Sequence, residues 1–223
     1  MMSLTIPEGI ALLSLKNETG EKQGQFVEYG LAGSAIAELI LRGQLVPDEL
    51  KPKKLNIADT STTGDAFLDF CMSVLLNAGS GKSVKSYVNK LAGKSRLFRE
   101  QALSLVAKGV LRADPKSFLV FNWTHYPEAD PDVEAALTGH LSSVMFREQA
   151  PEARDCVIIA LAEKTGLLRK NFDKSLLKEN RKRIKEISKG GMEASKATIE
   201  AIEAVQAALI AATTVATVGA TSG

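Results

Sequence analysis

The sequence predicts a mainly α-helical fold, a compact single-domain helical bundle that also carries a β-hairpin. Three observations lead there. Apolar residues recur at helical spacing through most of the 223 residues. The stretch 110–123 instead reads as two short extended runs about a turn. The apolar fraction of 45% and the charged fraction of 24% are those of an ordinary globular chain, at a length that suits one core.

The elements follow in order. A first helix is expected from about Thr5, where Pro7 suits the first turn and Ile10, Leu12, Leu13 and Leu15 are apolar behind it. Asn17-Glu18-Thr19-Gly20 reads as a turn. A second helix covers 31–41, with Leu31, Ala35 and Leu39, and Ile36 and Ile40, at helical spacing, and Arg42-Gly43 closing it. Leu45-Val46 and Leu55-Asn56-Ile57 are short candidate strands beside a loop over 47–64. A third helix is expected over 65–76, with Thr62 or Thr63 as its cap, a fourth over 83–91 and a fifth over 96–108. Gly109 ends the fifth. The hairpin follows: Val110-Leu111-Arg112, a turn at Ala113-Asp114-Pro115-Lys116, then 118–123 as the second strand. Helices over 131–147, 151–164 and 173–188 come next, and after Gly190-Gly191 an Ala-rich helix over 193–216, with the last few residues disordered.

Composition narrows the function without naming it. The net charge of +2 is too small to draw an anionic partner, so any such attraction must come from a local patch. Cys71 and Cys156 sit in apolar runs and read as buried free thiols, and His125 and His140 form no ligand pattern with them. No signal peptide is expected from the first residues, and no uninterrupted apolar run reaches the roughly 18–20 residues that span a bilayer. A cytoplasmic chain with at most peripheral membrane contact is expected, with no metal and no cofactor.

Several motifs invite chemistry and resolve more plainly. Gly79-Ser80-Gly81-Lys82-Ser83 resembles the end of a phosphate-binding loop, but Leu76 stands where that loop needs its first glycine, and a helix precedes it instead of a strand. Glu128, Asp130, Asp132 and Glu134 fall where carboxylates favour a helix N-terminus, with Asp130-Pro131 as N-cap and N1. The segment 178–189 holds six Lys or Arg, a solvated helix face or an anion-facing patch. In Lys94-Ser95-Arg96-Leu97-Phe98-Arg99 the two arginines are three positions apart, the spacing that puts both on one helix face, where they can clamp a phosphate or simply pair with Glu100 and water. Phe118-Leu119-Val120-Phe121 shows no polar alternation, so both faces of that strand want apolar partners: the core on one side, and lipid or a second subunit on the other.

The order of segments carries a family resemblance. Leu4-Thr5-Ile6-Pro7-Glu8, Gly30-Leu31-Ala32-Gly33 with the following 37–45, Thr63-Gly64-Asp65, 105–111, Phe118-Leu119-Val120-Phe121, His125-Tyr126-Pro127 and Gly166-Leu167-Leu168 follow in the order of the Golgi phosphoprotein 3 family, over about residues 4–215. The chain resembles that family throughout, and Tyr-Pro-Glu-Ala-Asp-Pro at 126–131 is closer to its bacterial branch. The resemblance implies a helical domain with a projecting hairpin, peripheral binding to phosphatidylinositol 4-phosphate, a hairpin used for membrane contact or oligomerisation, and an adaptor role for glycosyltransferases at the Golgi in eukaryotic members. The lipid pocket departs from the family pattern. The family tryptophan falls near Gln23 or Gly24, its motif arginine at Ala32, and its middle arginine pair at Ser95 and Phe98, with Arg96 and Arg99 one residue off.

The expected function is therefore that of a non-enzymatic protein binding an anionic phospholipid surface. Lys94, Arg96 and Arg99 are the candidate headgroup residues, and Phe118, Leu119, Val120 and Phe121 the candidate membrane or homo-oligomer contact. Two other readings stand beside it. One is a winged-helix nucleic-acid binder, disfavoured by the low net charge and an apolar wing with only Arg112 and Lys116 nearby. The other is a protein–protein interaction module without lipid binding, whose tail helix (Ile199, Ile202, Val205, Leu209) packs on another subunit.

Overall fold

The computed structural model describes residues 4–51, 53–118, 121–190 and 199–203, with the side chains of 118 and 121 excepted. The first helix, α1 (Ile6–Leu13), is the structural centre: every one of its residues is buried. Its start is fixed by a capping box. The Thr5 hydroxyl accepts from the Glu8 amide at 3.4 Å, and the Glu8 carboxylate accepts from the Thr5 amide at 2.8 Å. Ile6, Ile10, Leu12 and Leu13 are all fully buried, and each such side chain contributes about 1.5–3 kcal/mol relative to exposure. α2 (Val27–Leu41) packs along α1. It ends as its sequence suggests, with Gly43 in the left-handed region at φ +74°.

Three short strands follow the second helix as one antiparallel sheet in the order β1 (Leu45–Pro47), β2 (Lys54–Ile57), β3 (Lys82–Ser83). Between β2 and β3 lies α3 (Ala66–Ala78). Its cap is Asp65, whose carboxylate accepts from the Leu68 amide at 3.0 Å, while Thr63 stands two residues earlier and its hydroxyl accepts from the Asp65 amide at 3.0 Å. Gly79-Ser80-Gly81-Lys82-Ser83 is a connector, not a phosphate loop. Ser80 accepts from the Ile57 amide, the Gly81 amide donates to Leu55, and Ser83 caps α4 (Val84–Ala92). α5 (Leu97–Ala107) returns to pack on α1, α2 and α3.

The hairpin differs from the sequence reading. Its strands are β4 (Asp114–Phe118) and β5 (Phe121–His125), antiparallel with Asp114 opposite His125 and Phe118 opposite Phe121. The residues expected to turn are thus most of the first strand, because Pro115 lies on a ribbon where it need not donate to a second neighbour. The apolar run expected as one continuous strand segment is divided: Phe118 closes β4 and Phe121 opens β5. Residues 119 and 120, and the side chains of 118–121, lie outside the described residues, so the expectation of one inward and one outward pair falls there too. Val110 and Leu111 are buried and form no strand of the ribbon, although Leu111 makes an isolated antiparallel bridge to Glu128.

The remaining helices are α6 (Pro131–Phe146), α7 (Ala153–Lys164), α8 (Leu168–Asn171), α9 (Lys174–Glu179) and α10 (Arg181–Ile187). The single helix expected over 173–188 is broken at Asn180, which ends α9 and begins α10. α7 lies against α1 and α2, and α10 against α7. Of the Ala-rich helix expected over 193–216, residues 199–203 are helical, with Ala201 and Ile202 buried, and the rest lies outside the described residues. Among the described residues no helix is long and apolar enough to cross a membrane.

Three buried carboxylates tie helices together. Glu38 is fully buried and accepts from the Ile6 amide at 3.1 Å, from Arg42 at 2.9 Å and from Arg154 at 2.7 Å. Burial alone would raise its pKa; the two guanidinium groups and the amide more than offset that and hold it below the usual carboxylate range. Lys108 bridges Glu8 and Asp65, joining the starts of α1 and α3 to the end of α5.

Candidate functional site

One face of the hairpin, the turn after α1 and the start of α5 enclose an open groove of about 910 Å³. The turn is held against the base of the hairpin by Gly20. Its carbonyl accepts from the Tyr126 amide at 3.2 Å. The approach is so close that a Cβ on Gly20, at φ +64°, would lie 2.2 Å from the backbone of Tyr126 and Pro127. Glycine is the residue that permits both the backbone angle and the contact.

The floor is aromatic. Phe98 meets Tyr126 edge-on with ring centroids 6.2 Å apart, and the Lys22 ammonium lies 5.0 Å from the Phe98 centroid. The hairpin wall presents Lys116 and Trp123, directly opposite each other, and His125, whose Nε2 accepts from the Trp123 indole at 2.9 Å. That contact makes His125 an acceptor at Nε2 and leaves the ring's proton on Nδ1.

Charges in the groove are largely matched. Lys22 pairs with Glu28 at 2.7 Å, and Lys116 with Asp114 at 2.9 Å. Burial would raise the Glu28 carboxyl, but Lys22 and a backbone amide outweigh it and hold the group low, and Lys116 holds Asp114 low. Glu21, also on the lining, is held low by Lys16 at 2.7 Å. Arg99 lines the groove, is exposed, and has no carboxylate partner among the described residues.

Of the three headgroup candidates, the structure brings only Arg99 to this groove. Arg96 precedes the first residue of α5 and turns away, its guanidinium 4.8 Å from the Phe70 ring centroid and 3.6 Å from Glu100. Lys94 is exposed before α5 and is not part of the lining. The three-residue spacing did not place both arginines together because the helix begins after the first of them. Ser95 and Phe98, where the sequence register expects the family's arginine pair, do line the groove. Ala32 is fully buried, and Gln23 donates to the carbonyls of Leu13 and Leu15. Gly24, at φ +92°, has Leu167 where a side chain would stand, 2.5 Å from a Cβ.

Lys22, Lys116, Trp123 and His125 were not singled out by sequence as site residues. Trp123 and His125 alternate on one strand, and that period of two was the available signal once the strand boundaries were known. Glu134, on the inward stripe of α6 with Leu137 and Leu141, is only 3% exposed, and one oxygen on each of Glu134 and Glu128 is buried without a partner. Burial and the adjoining Glu128 carboxyl push the Glu134 pKa up to about 8, against a weaker opposing hydrogen bond from Asn17.

A family model for Golgi phosphoprotein 3 (GPP34) matches residues 6–208. Among curated proteins, the chain is 29% identical over 164 residues to vacuolar protein sorting-associated protein 74 of Eremothecium gossypii, covering 64% of this chain and 49% of that one. It is 28% identical over 163 residues to the protein of the same description in Schizosaccharomyces pombe, covering 64% and 48%. It is 29% identical over 161 residues to a VPS74-like protein of Dictyostelium discoideum, covering 64% and 60%. The matches thus span about half to three-fifths of these relatives. All three are eukaryotic and lend no support to a bacterial source. The match to the family model over nearly the whole chain establishes that the protein belongs to the Golgi phosphoprotein 3 (GPP34) family.

Proposed function

We propose that this protein is a peripheral membrane-binding adaptor, not an enzyme, and that the groove takes the anionic headgroup of a phospholipid while the end of the hairpin meets the bilayer or a second copy. One observation carries the reading: groove and apolar run share a single ribbon. Lys116 is two residues from Phe118 and Trp123 two from Phe121, about 7 Å of strand at 3.3–3.4 Å per residue. A cation and an exposed tryptophan beside an apolar tip match the layering of a membrane interface, where tryptophan sits at headgroup depth. Arg99, with no carboxylate partner among the described residues, is the group most available to a phosphate oxygen.

The recognition is loose. Ala32, Ser95 and Phe98 supply no guanidinium, and Lys22 and Lys116 are already paired. The groove therefore favours anionic headgroups generally over phosphatidylinositol 4-phosphate in particular. In a eukaryotic cell the cytoplasmic face of the Golgi would be the membrane concerned. Basic residues near an anionic surface contribute about 1 kcal/mol each and are screened by salt. Co-sedimentation should thus show binding to vesicles containing phosphatidylserine or phosphatidylinositol 4-phosphate, weakened by high salt and by Arg99→Ala. Equal binding to neutral and anionic vesicles would sink the proposal.

A further inference from the structure

A second concentration of positive charge on the described surface lies outside the hairpin groove. A second cavity of about 680 Å³ lies between the end of α7 and the helices α8, α9 and α10. Its lining includes Arg169, Lys174, Lys178 and Arg181 against one carboxylate, Glu163, over an aliphatic floor of Leu168, Leu177 and Ile184. Lys178 and Arg181 lie on either side of the break at Asn180, at the end of α9 and the start of α10, and both line the hollow.

These cations are not used by the fold. Among the described residues, none of the four pairs with a carboxylate or donates to a carbonyl, whereas Lys16, Lys22, Arg42, Lys108, Lys116 and Arg154 all have ion-pair partners. Their neighbour Arg183 shows the contrast: it donates to the carbonyls of Val144 and Gln149 and ties α10 to the end of α6. Glu163 is itself engaged by the Ser188 hydroxyl at 3.2 Å. Four like charges converging on one hollow repel each other, and a bound anion relieves that repulsion. The floor has no aromatic ring on which a base could stack, so the chemistry favoured is a compact polyanion.

We infer that this cavity is a second anion site, separate from the hairpin groove, which takes a group bearing clustered phosphates. It stands whether or not the groove binds a headgroup. A soluble phosphate compound and a phosphorylated lipid headgroup offer the same chemistry, so the test has two arms. Calorimetric titration with inorganic pyrophosphate reads the soluble source, and co-sedimentation with phosphatidylinositol 4-phosphate vesicles reads the membrane source. Each is run on the parent, on Lys178→Gln/Arg181→Gln, on Arg169→Gln/Lys174→Gln, and on Arg99→Ala as the groove control.

All these positions are exposed, so melting temperatures should hold. In at least one arm, either cavity pair should weaken binding roughly tenfold or more, as loss of about 1 kcal/mol per cation requires. In the pyrophosphate arm Arg99→Ala should leave binding unchanged. Loss in the pyrophosphate arm identifies a soluble ligand, and loss in the vesicle arm alone identifies a membrane headgroup. Binding unaltered by both cavity pairs in both arms, or no pyrophosphate binding together with vesicle binding that depends on Arg99 alone, overturns the inference.

Discussion

Replacing Glu134 by glutamine should make the protein more stable near neutral pH and remove part of its pH dependence. Glu134 is 3% exposed, faces Glu128, and titrates at about 8 in the folded chain against a usual value of 4.5. Between those values the folded chain keeps a proton that the unfolded chain has lost. The stabilisation is therefore complete below about pH 4.5 and declines as pH rises to about 8, with a slope of at most about 1.4 kcal/mol per unit. From pH 4.5 to 7, 2.5 units, that is on the order of 3 kcal/mol, less whatever relaxation of the pair recovers. Glutamine keeps the shape and a donor for Glu128 and cannot ionise. We expect Glu134→Gln to gain about 1–3 kcal/mol at pH 7, which at about 2–4 °C per kcal/mol for a chain of this size is a rise of several degrees. At pH 4.5 the two proteins should melt alike. Urea or thermal melts at pH 4.5, 6, 7 and 8.5 supply the comparison. Parallel pH profiles for parent and variant, or a less stable variant at pH 8.5, would refute the reasoning.

Other perturbations follow from the same contacts. Glu38→Ala leaves Arg42, Arg154 and the Ile6 amide without their acceptor and should cost about 3 kcal/mol, the low end for a broken buried pair because both arginines can reach water. Because the folded Glu38 pKa is depressed, the parent's advantage over Glu38→Ala should be full above about pH 4.5 and fade as pH falls below it, as chemical denaturation at pH 3 and pH 7 would show. Gly20→Ala forces a Cβ into the backbone of Tyr126 and Pro127 at a positive φ; it should lower stability by more than about 1 kcal/mol and reduce vesicle binding with it. Arg96→Ala, which removes only the Phe70 and Glu100 contacts, should leave vesicle binding at the parent level where Arg99→Ala weakens it.

How much was legible beforehand depended on the range of the interactions involved. Local signals were reliable: Pro7 and Glu8 at the start of α1, Asp130-Pro131 at the start of α6 and Gly43 after α2 all do what their sequence neighbours imply. The hairpin's boundaries were misread because Val110 and Leu111 look like strand residues while satisfying the core, and Pro115 looks like a turn residue while lying on a ribbon. The break at Asn180 has no glycine or proline to announce it. The groove needs three segments distant in sequence, around Gly20, Phe98 and Trp123, which no spacing rule connects. Glu134 reads locally as a helix N-terminal carboxylate, although its place three and seven residues before Leu137 and Leu141 puts it on the buried stripe.

The central claim, that the hairpin groove meets anionic headgroups at a membrane surface, has a built-in reporter. Trp123 is the chain's single tryptophan, is 44% exposed, and lines the groove opposite Lys116. Titrating the protein with phosphatidylserine-containing and with purely phosphatidylcholine vesicles while recording tryptophan emission therefore reads the site itself. The account predicts a blue shift with the anionic vesicles, reversed by high salt and reduced in Arg99→Ala, and none with the neutral ones. Vesicle binding by sedimentation with an unshifted Trp123 emission would contradict it, because the membrane would then be meeting the protein somewhere else.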